Sequence, residues 1–210
     1  MTLDVLVMEP DGSAGPTALV IALHGRGANR HDLVPLAQAL ALERVRYLFA
    51  EAPLSVPGSQ DGRQWYEFGA DHGSGVRHSR VLLNQLIDLQ SQKFNTPAER
   101  IALLGFSQGA VMVLDVGLQR TPHPAALVAM SGYLFEGENI AQRSSAGFPE
   151  VLLVHGTEDT VIPVEASRLA QGVLVELGAK VQLYEVTMGH QINMSALVAV
   201  RAFLQRTLHL

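Results

Sequence analysis

Gly105-Phe106-Ser107-Gln108-Gly109 puts a serine between two glycines, directly after the apolar run 100–104 and at the head of an amphipathic stretch. A sharp strand-to-helix turn there would hold the serine in a strained backbone conformation and lift its hydroxyl above the sheet. The flanking glycines are needed because side chains would collide with the neighbouring strand and helix. The helix N-terminus behind the serine also favours developing negative charge. The bare pattern arises by chance in about one sequence in ten of this size, so the strand-turn-helix context carries the signal.

A serine hydroxyl is a poor nucleophile at neutral pH and needs a base, which needs an orienting acid. For this kind of turn the chain order is Ser, then Asp or Glu, then His. Four histidines follow Ser107. His209 is penultimate, His123 lies between two prolines, and His155 ends a strand before a glycine. His190, in the loop between the last predicted strand and the last helix, falls above the same sheet edge as Ser107 and is the predicted base. Asp159 and its neighbour Glu158 both follow the run 150–154 and compete for the acid; Asp159 is closer to the helix start and stiffer. A loop carboxylate before a helix also serves as an N-cap.

Acyl transfer further requires two N–H donors for the oxyanion. The Gln108 backbone supplies one. Leu23-His24-Gly25-Arg26-Gly27 follows the run 17–23, and its glycines allow close backbone approach, so the Arg26 N–H is the predicted second donor. The Arg26 guanidinium has two readings. It either binds a carboxylate or other polar substrate group bidentately at the pocket rim, or it is a solvated loop side chain that contributes only backbone. His24 and His155 each end a strand before glycine and read as hydrogen-bonded structural histidines. His72 and His78 have no third spaced ligand for zinc.

The elements that must position these residues follow from periodicity. Unbroken apolar runs at 17–23, 45–50, 100–104, 125–130, 150–154 and 181–186, after a weaker one at 3–8, predict strands buried on both faces. Between them, helices are predicted at 32–42, 74–94, 108–120, 163–177 and 193–208 from apolar spacing, Pro entries and the Gly178 exit. Strands alternating with helices imply an α/β fold with a mainly parallel sheet. No linker or repeat divides the chain, so residues 1–210 are expected to form one domain. The irregular stretches 51–73 and 131–149 fall where ligand crevices form, and are expected to set specificity.

Composition removes other classes. Hydrophobic residues make up 48% of the 210, and charged residues 17%, ample for one substantial core. Fifteen Lys and Arg against twenty Asp and Glu leave a net charge of −5, with no electrostatic footprint for nucleic acid or an anionic membrane surface. With no cysteine there is no disulfide, thiolate metal site or Cys nucleophile. Residues 1–10 carry two acids and no Lys or Arg, unlike a secretory signal, and no apolar run is long enough to cross a bilayer. A cytoplasmic protein without stable membrane association is expected.

Leu23-His24-Gly25-x-Gly27, Gly105-Phe106-Ser107-Gln108-Gly109-Ala110, Ser131-Gly132, His155-Gly156-x-x-Asp159 and Gly189-His190 occur together across nearly the whole chain. In this order and spacing the sequence resembles the phospholipase/carboxylesterase branch of the α/β-hydrolase superfamily, which includes bacterial carboxylesterases and acyl-protein thioesterases. The resemblance implies an α/β-hydrolase fold of about seven strands without a large lid domain. It implies Ser107, Asp159 and His190 as the catalytic triad, with Asp159 preferred over Glu158, and backbone donors at Arg26 and Gln108. No metal or cofactor is implied. Trp65-Tyr66 falls where the family carries an aromatic pair near the acyl pocket. Arg26, Trp65, Phe106 and Ile162 are the candidate substrate contacts, although Trp65 reads equally as a loop anchor.

Two features depart from the acyl-protein thioesterase pattern. Arg26 stands where those enzymes often carry Leu, and the stretch 51–73 is polar. Both argue against a greasy groove for a long lipid. The expected activity is therefore serine-dependent hydrolysis of short- to medium-chain carboxylic esters, falling on the acid side as His190 protonates. The alternatives are thioester or lysophospholipid hydrolysis with the same triad, and a catalytically silent small-molecule-binding protein. A dienelactone-hydrolase-like activity is disfavoured by Ser107 where that group uses Cys. A monomer or weak homodimer acting on a small ester is expected.

Overall fold

The computed structural model describes residues 2–10, 15–69, 71–137 and 147–210. The elements run β1 (Val5–Met8), β2 (Ala18–Leu23), α1 (Val34–Leu40), β3 (Val45–Ala50), β4 (Leu54–Ser55), β5 (Arg63–Gln64) and α2 (His72–Phe94). They continue with β6 (Ile101–Phe106), α3 (Gln108–Gly117), β7 (Ala126–Met130), β8 (Glu150–Gly156), α4 (Glu165–Glu176), β9 (Val181–Val186) and α5 (Met194–Thr207). Seven strands form one sheet in the order β1-β3-β2-β6-β7-β8-β9. β1 pairs antiparallel with β3, and the other pairings are parallel.

The unbroken apolar runs are explained by burial on both sides. In β2, Leu19, Ile21 and Leu23 face a core that holds Leu83, Leu86 and Ile87 of α2 and Val111 of α3, together with Ala170 and Leu174 of α4. The alternate residues Ala18, Val20 and Ala22 face Leu36 and Leu40 of α1 and Val200 and Phe203 of α5. A side-chain period of two thus feeds two separate cores from one strand. β9 departs from the expectation: it is an edge strand, and its residues are half-buried or exposed until Val186.

α3 was expected to be amphipathic, yet every residue from Gln108 to Gly117 is buried. It lies between the central strands and α2, so both of its faces are covered. Its one charged residue, Asp115, accepts two hydrogen bonds of 2.7 Å from the Arg80 guanidinium of α2. Helix α1 is shorter than the predicted 32–42, because Ala41 turns left-handed at φ 45° and ends it.

The stretch 51–73 holds the antiparallel pair β4–β5, which no periodicity announced because each strand has two residues. Of the second irregular stretch, 138–146 lies outside the described residues. Among the described residues, no helix is long and apolar enough to cross a membrane. The architecture is the mainly parallel, helix-flanked sheet of an α/β-hydrolase fold.

Candidate active site

Ser107 sits between β6 and α3 with φ 55° and ψ −121°, a conformation that L-residues rarely adopt. The strain is held by packing on both sides. A Cβ on Gly105 would strike the Gly109 carbonyl, and a Cβ on Gly109 would strike the Leu23 carbonyl. The Ser107 N–H donates to the Met130 carbonyl at 2.9 Å, tying the turn to the end of β7.

His190 reaches this serine from the loop between β9 and α5. Its Nε2 lies 2.9 Å from Ser107 Oγ, and its Nδ1 lies 2.7 Å from Asp159 Oδ2. A carboxylate only accepts, so Nδ1 carries the proton and Nε2 is left to accept from the serine hydroxyl. Asp159 Oδ1 accepts the backbone N–H groups of Val161 and Ile162, both at 2.9 Å. Burial pushes the Asp159 carboxyl up, but the His190 hydrogen bond and these two N–H groups outweigh it and leave the carboxyl below its ordinary value. Glu158, the competing acid, is exposed, and only its backbone is engaged, donating to the Met188 carbonyl at 3.1 Å.

His155 is fully buried and braces the Asp159 loop. Its Nε2–H donates to the Ile162 carbonyl at 2.8 Å, so its Nδ1 accepts from the Ser167 hydroxyl of α4 at 2.6 Å. His24 plays a matching part on the other side of Ser107. Its Nδ1–H donates to the Gly25 carbonyl at 2.7 Å, and its Nε2 accepts the Ala52 N–H at 3.1 Å. Burial holds the His24 imidazole below its ordinary value.

The loop carrying Arg26 runs close to the serine: a Cβ on Gly25 would sit 3.2 Å from Ser107 Cβ. Gly27 N–H donates to the Arg63 carbonyl and Arg63 N–H to the Ala28 carbonyl, both at 2.8 Å, lacing this loop to β5. Gln108 opens α3, so its N–H has no carbonyl four residues back within the helix. The Arg26 and Gln108 backbones therefore flank Ser107 from two sides.

Two clefts meet at Ser107 and His190, and Arg26 lines both. One, of about 520 Å³, is walled by Tyr66, Phe68, Tyr133, Val161, Ile162 and Pro163. The other, of about 320 Å³, includes Phe106, Asp32, Leu33 and Ile192. Arg26, Phe106 and Ile162 thus lie where a bound molecule would touch them. Trp65 does not. It is fully buried, and its indole N–H donates to the His24 carbonyl at 2.8 Å, so it anchors the loop; its neighbour Tyr66, equally buried, backs the cleft wall. Phe68 and Tyr133 were not singled out from the sequence. Tyr133 follows Ser131-Gly132 at the carboxyl end of β7, the position that could have marked it. Its hydroxyl is 3.0 Å from the Tyr66 hydroxyl and 3.0 Å from His72 Nε2.

Residues 6–208 match the protein family described as Phospholipase/Carboxylesterase. Acyl-protein thioesterase 1 of Neurospora crassa is 28% identical over 218 residues, covering 91% of this chain and 87% of that protein. Acyl-protein thioesterase 1 of Emericella nidulans is 30% identical over 192 residues, covering 77% of each. Among solved structures, esterase PE8 superposes with a TM-score of 0.90 at 28% identity, covering 99% of this chain and all (100%) of that one. SOBER1 of Arabidopsis thaliana has a TM-score of 0.81 at 22% identity, covering 91% and 99%, a likeness of fold.

Proposed function

From the phospholipase/carboxylesterase family, to which this chain belongs, we propose that it is a serine hydrolase of short- to medium-chain carboxylic esters. The observation that carries this reading is the 2.9 Å approach of His190 Nε2 to Ser107 Oγ, with Nδ1 held at 2.7 Å by Asp159. Ser107 Oγ attacks the ester carbonyl as His190 takes its proton, and the Arg26 and Gln108 N–H groups stabilise the oxyanion. His190 then protonates the departing alcohol, and water repeats the sequence on the acyl-enzyme. Asp159 fixes the tautomer and stabilises the imidazolium. Protonation of His190 from solvent removes the base, so activity falls on the acid side.

A preference for shorter acyl groups is supported by the cleft itself, where Arg26 and Tyr133 stand among mostly apolar lining residues. Thioester hydrolysis by the same three residues is the second reading, favoured by the names of the relatives in Neurospora crassa and Emericella nidulans. Hydrolysis of p-nitrophenyl esters from acetate to palmitate, beside the Ser107→Ala variant, tests the proposal. Turnover peaking at short chains and lost in the variant is expected. A peak at palmitate would move the substrate to lipids or acylated proteins. No turnover by the folded protein, on these esters or on acyl thioesters, would leave a small-molecule-binding protein.

A further inference from the structure

Arg26 is held in place without being neutralised. Its Nε–H donates to Gln64 Oε1 at 3.0 Å, and Gln64 is itself buried, with its Nε2–H on the Ser55 carbonyl at 3.0 Å. The guanidinium carbon lies 6.0 Å from the centroid of the Phe68 ring, at the outer edge of a cation–π contact. These two contacts set the direction of the side chain and leave both Nη groups uncommitted. Arg26 forms no ion pair with any described Asp or Glu. Other arginine side chains are engaged by contrast: Arg80 with Asp115, Arg77 with Glu136, and Arg63 with the Ala52 and Pro53 carbonyls.

The larger cleft has a matching character. Its wall is mostly apolar, and Arg26 is the one formally charged residue in its lining apart from the histidine of the triad. The smaller cleft carries Asp32 as well as Arg26, so an anion there would face a carboxylate. A planar guanidinium with two free Nη groups, beside an apolar wall and the reacting serine, matches an acyl chain that ends in a carboxylate. We infer that the site takes half-esters of dicarboxylic acids, with the hydrocarbon of the acyl group along Phe68 and Ile162 and the free carboxylate on Arg26. This inference rests on the ester-hydrolase reading above and deepens it.

The test pairs monomethyl succinate, glutarate and adipate with methyl butanoate, pentanoate and hexanoate, followed by alkali uptake at constant neutral pH. Each half-ester and its partner have the same chain length and differ by the charged end. The readout is the ratio of kcat/KM values, half-ester over neutral ester, in the wild type and in Arg26→Gln. A ratio cancels any loss common to both substrates, including a disturbance of the oxyanion loop. At the preferred length the ratio should fall about tenfold in the variant, the scale of one charge-assisted hydrogen-bond pair at an open site. In the wild type it should also fall from low to high salt, as an exposed charge contact does. A ratio that moves less than about twofold in both comparisons overturns the inference while leaving ester hydrolysis intact. Turnover of the neutral esters with none of the half-esters does the same. If the folded wild type turns over neither series, nor longer esters or thioesters, the hydrolase reading falls and takes this inference with it.

Discussion

Gln108 Oε1 accepts the backbone N–H of Trp65 at 3.0 Å, while its Nε2–H donates to the Tyr66 carbonyl at 2.9 Å. The residue after the nucleophile therefore does two things. Its backbone faces the reacting serine, and its side chain clamps the segment that carries the cleft wall. Gln108→Ala would leave a buried N–H and a buried carbonyl unpaired. It should cost about 2–4 kcal/mol in urea unfolding. kcat/KM should drop more than stability alone explains, because Tyr66 loses its backbone anchor. An unchanged unfolding midpoint would show that the clamp is not needed.

The strained turn makes a prediction of opposite sign for stability and activity. At φ 55° and ψ −121°, Ser107 occupies backbone space that glycine enters freely. Ser107→Gly should abolish turnover and yet raise stability over Ser107→Ala by about 1 kcal/mol, or about 2–4 °C in Tm for a chain of this size. Calorimetry of the two variants decides it. A glycine variant no more stable than the alanine one would mean that the turn holds no strain worth relieving.

The reading of the acid separates Asp159 from Glu158. Asp159→Asn keeps the shape but leaves His190 Nδ1 without a full negative charge, and the amide can impose the wrong tautomer. kcat should fall about 10³-fold or more, while Glu158→Gln stays within about twofold, since that side chain is exposed. The Asp159 carboxyl is held below its ordinary value, so its share of stability is present above the unfolded carboxylate range. That share is lost as pH falls through the folded value. Comparable losses in the two variants would overturn the assignment.

How far the chain could be read in advance follows from the length scale of each signal. Runs such as 45–50 and 181–186 coincide with β3 and β9 because Val, Leu or aromatic residues fill four of the six positions and neither Gly nor Pro interrupts them. Ser107 and His190 could be picked out because strand ends and glycines mark the loops that hold them, whereas Asp159 stood level with Glu158 until the family resemblance separated them. The apolar run stopped two residues short of the end of β6, because Gly105-Phe106 looks like loop although the strand continues to the serine. β4 and β5 left no trace, being two residues each and stabilised by partners in another loop, such as the Ala28 carbonyl that accepts the Arg63 N–H. Trp65 was ambiguous for a similar reason. Its indole N–H finds the His24 carbonyl across 41 residues, a pairing that no local pattern encodes.

His24 gives the remaining prediction, which concerns stability alone. The ring is buried with both nitrogens engaged as a neutral imidazole: Nδ1–H on the Gly25 carbonyl and Nε2 receiving the Ala52 N–H. A proton added at Nε2 would face that N–H, in agreement with a folded-state value lowered by burial. For a histidine whose value is depressed on folding, the unfolded chain binds the extra proton. Its contribution is therefore complete above the unfolded value of about 6.5 and is lost as pH falls towards the lower folded value. In that window the wild type should lose stability at up to about 1.4 kcal/mol per pH unit through this one group. His24→Gln should be less stable at pH 8 by about 1–3 kcal/mol, because the buried carbonyl and N–H lose well-aligned partners. Its stability should nevertheless decline less steeply below about pH 6.5, by close to one proton's worth of slope. Urea unfolding of both proteins from pH 8 to 5 measures the difference directly. Parallel curves would mean that His24 takes up its proton equally in both states, and that its buried hydrogen bonds do not select the neutral ring.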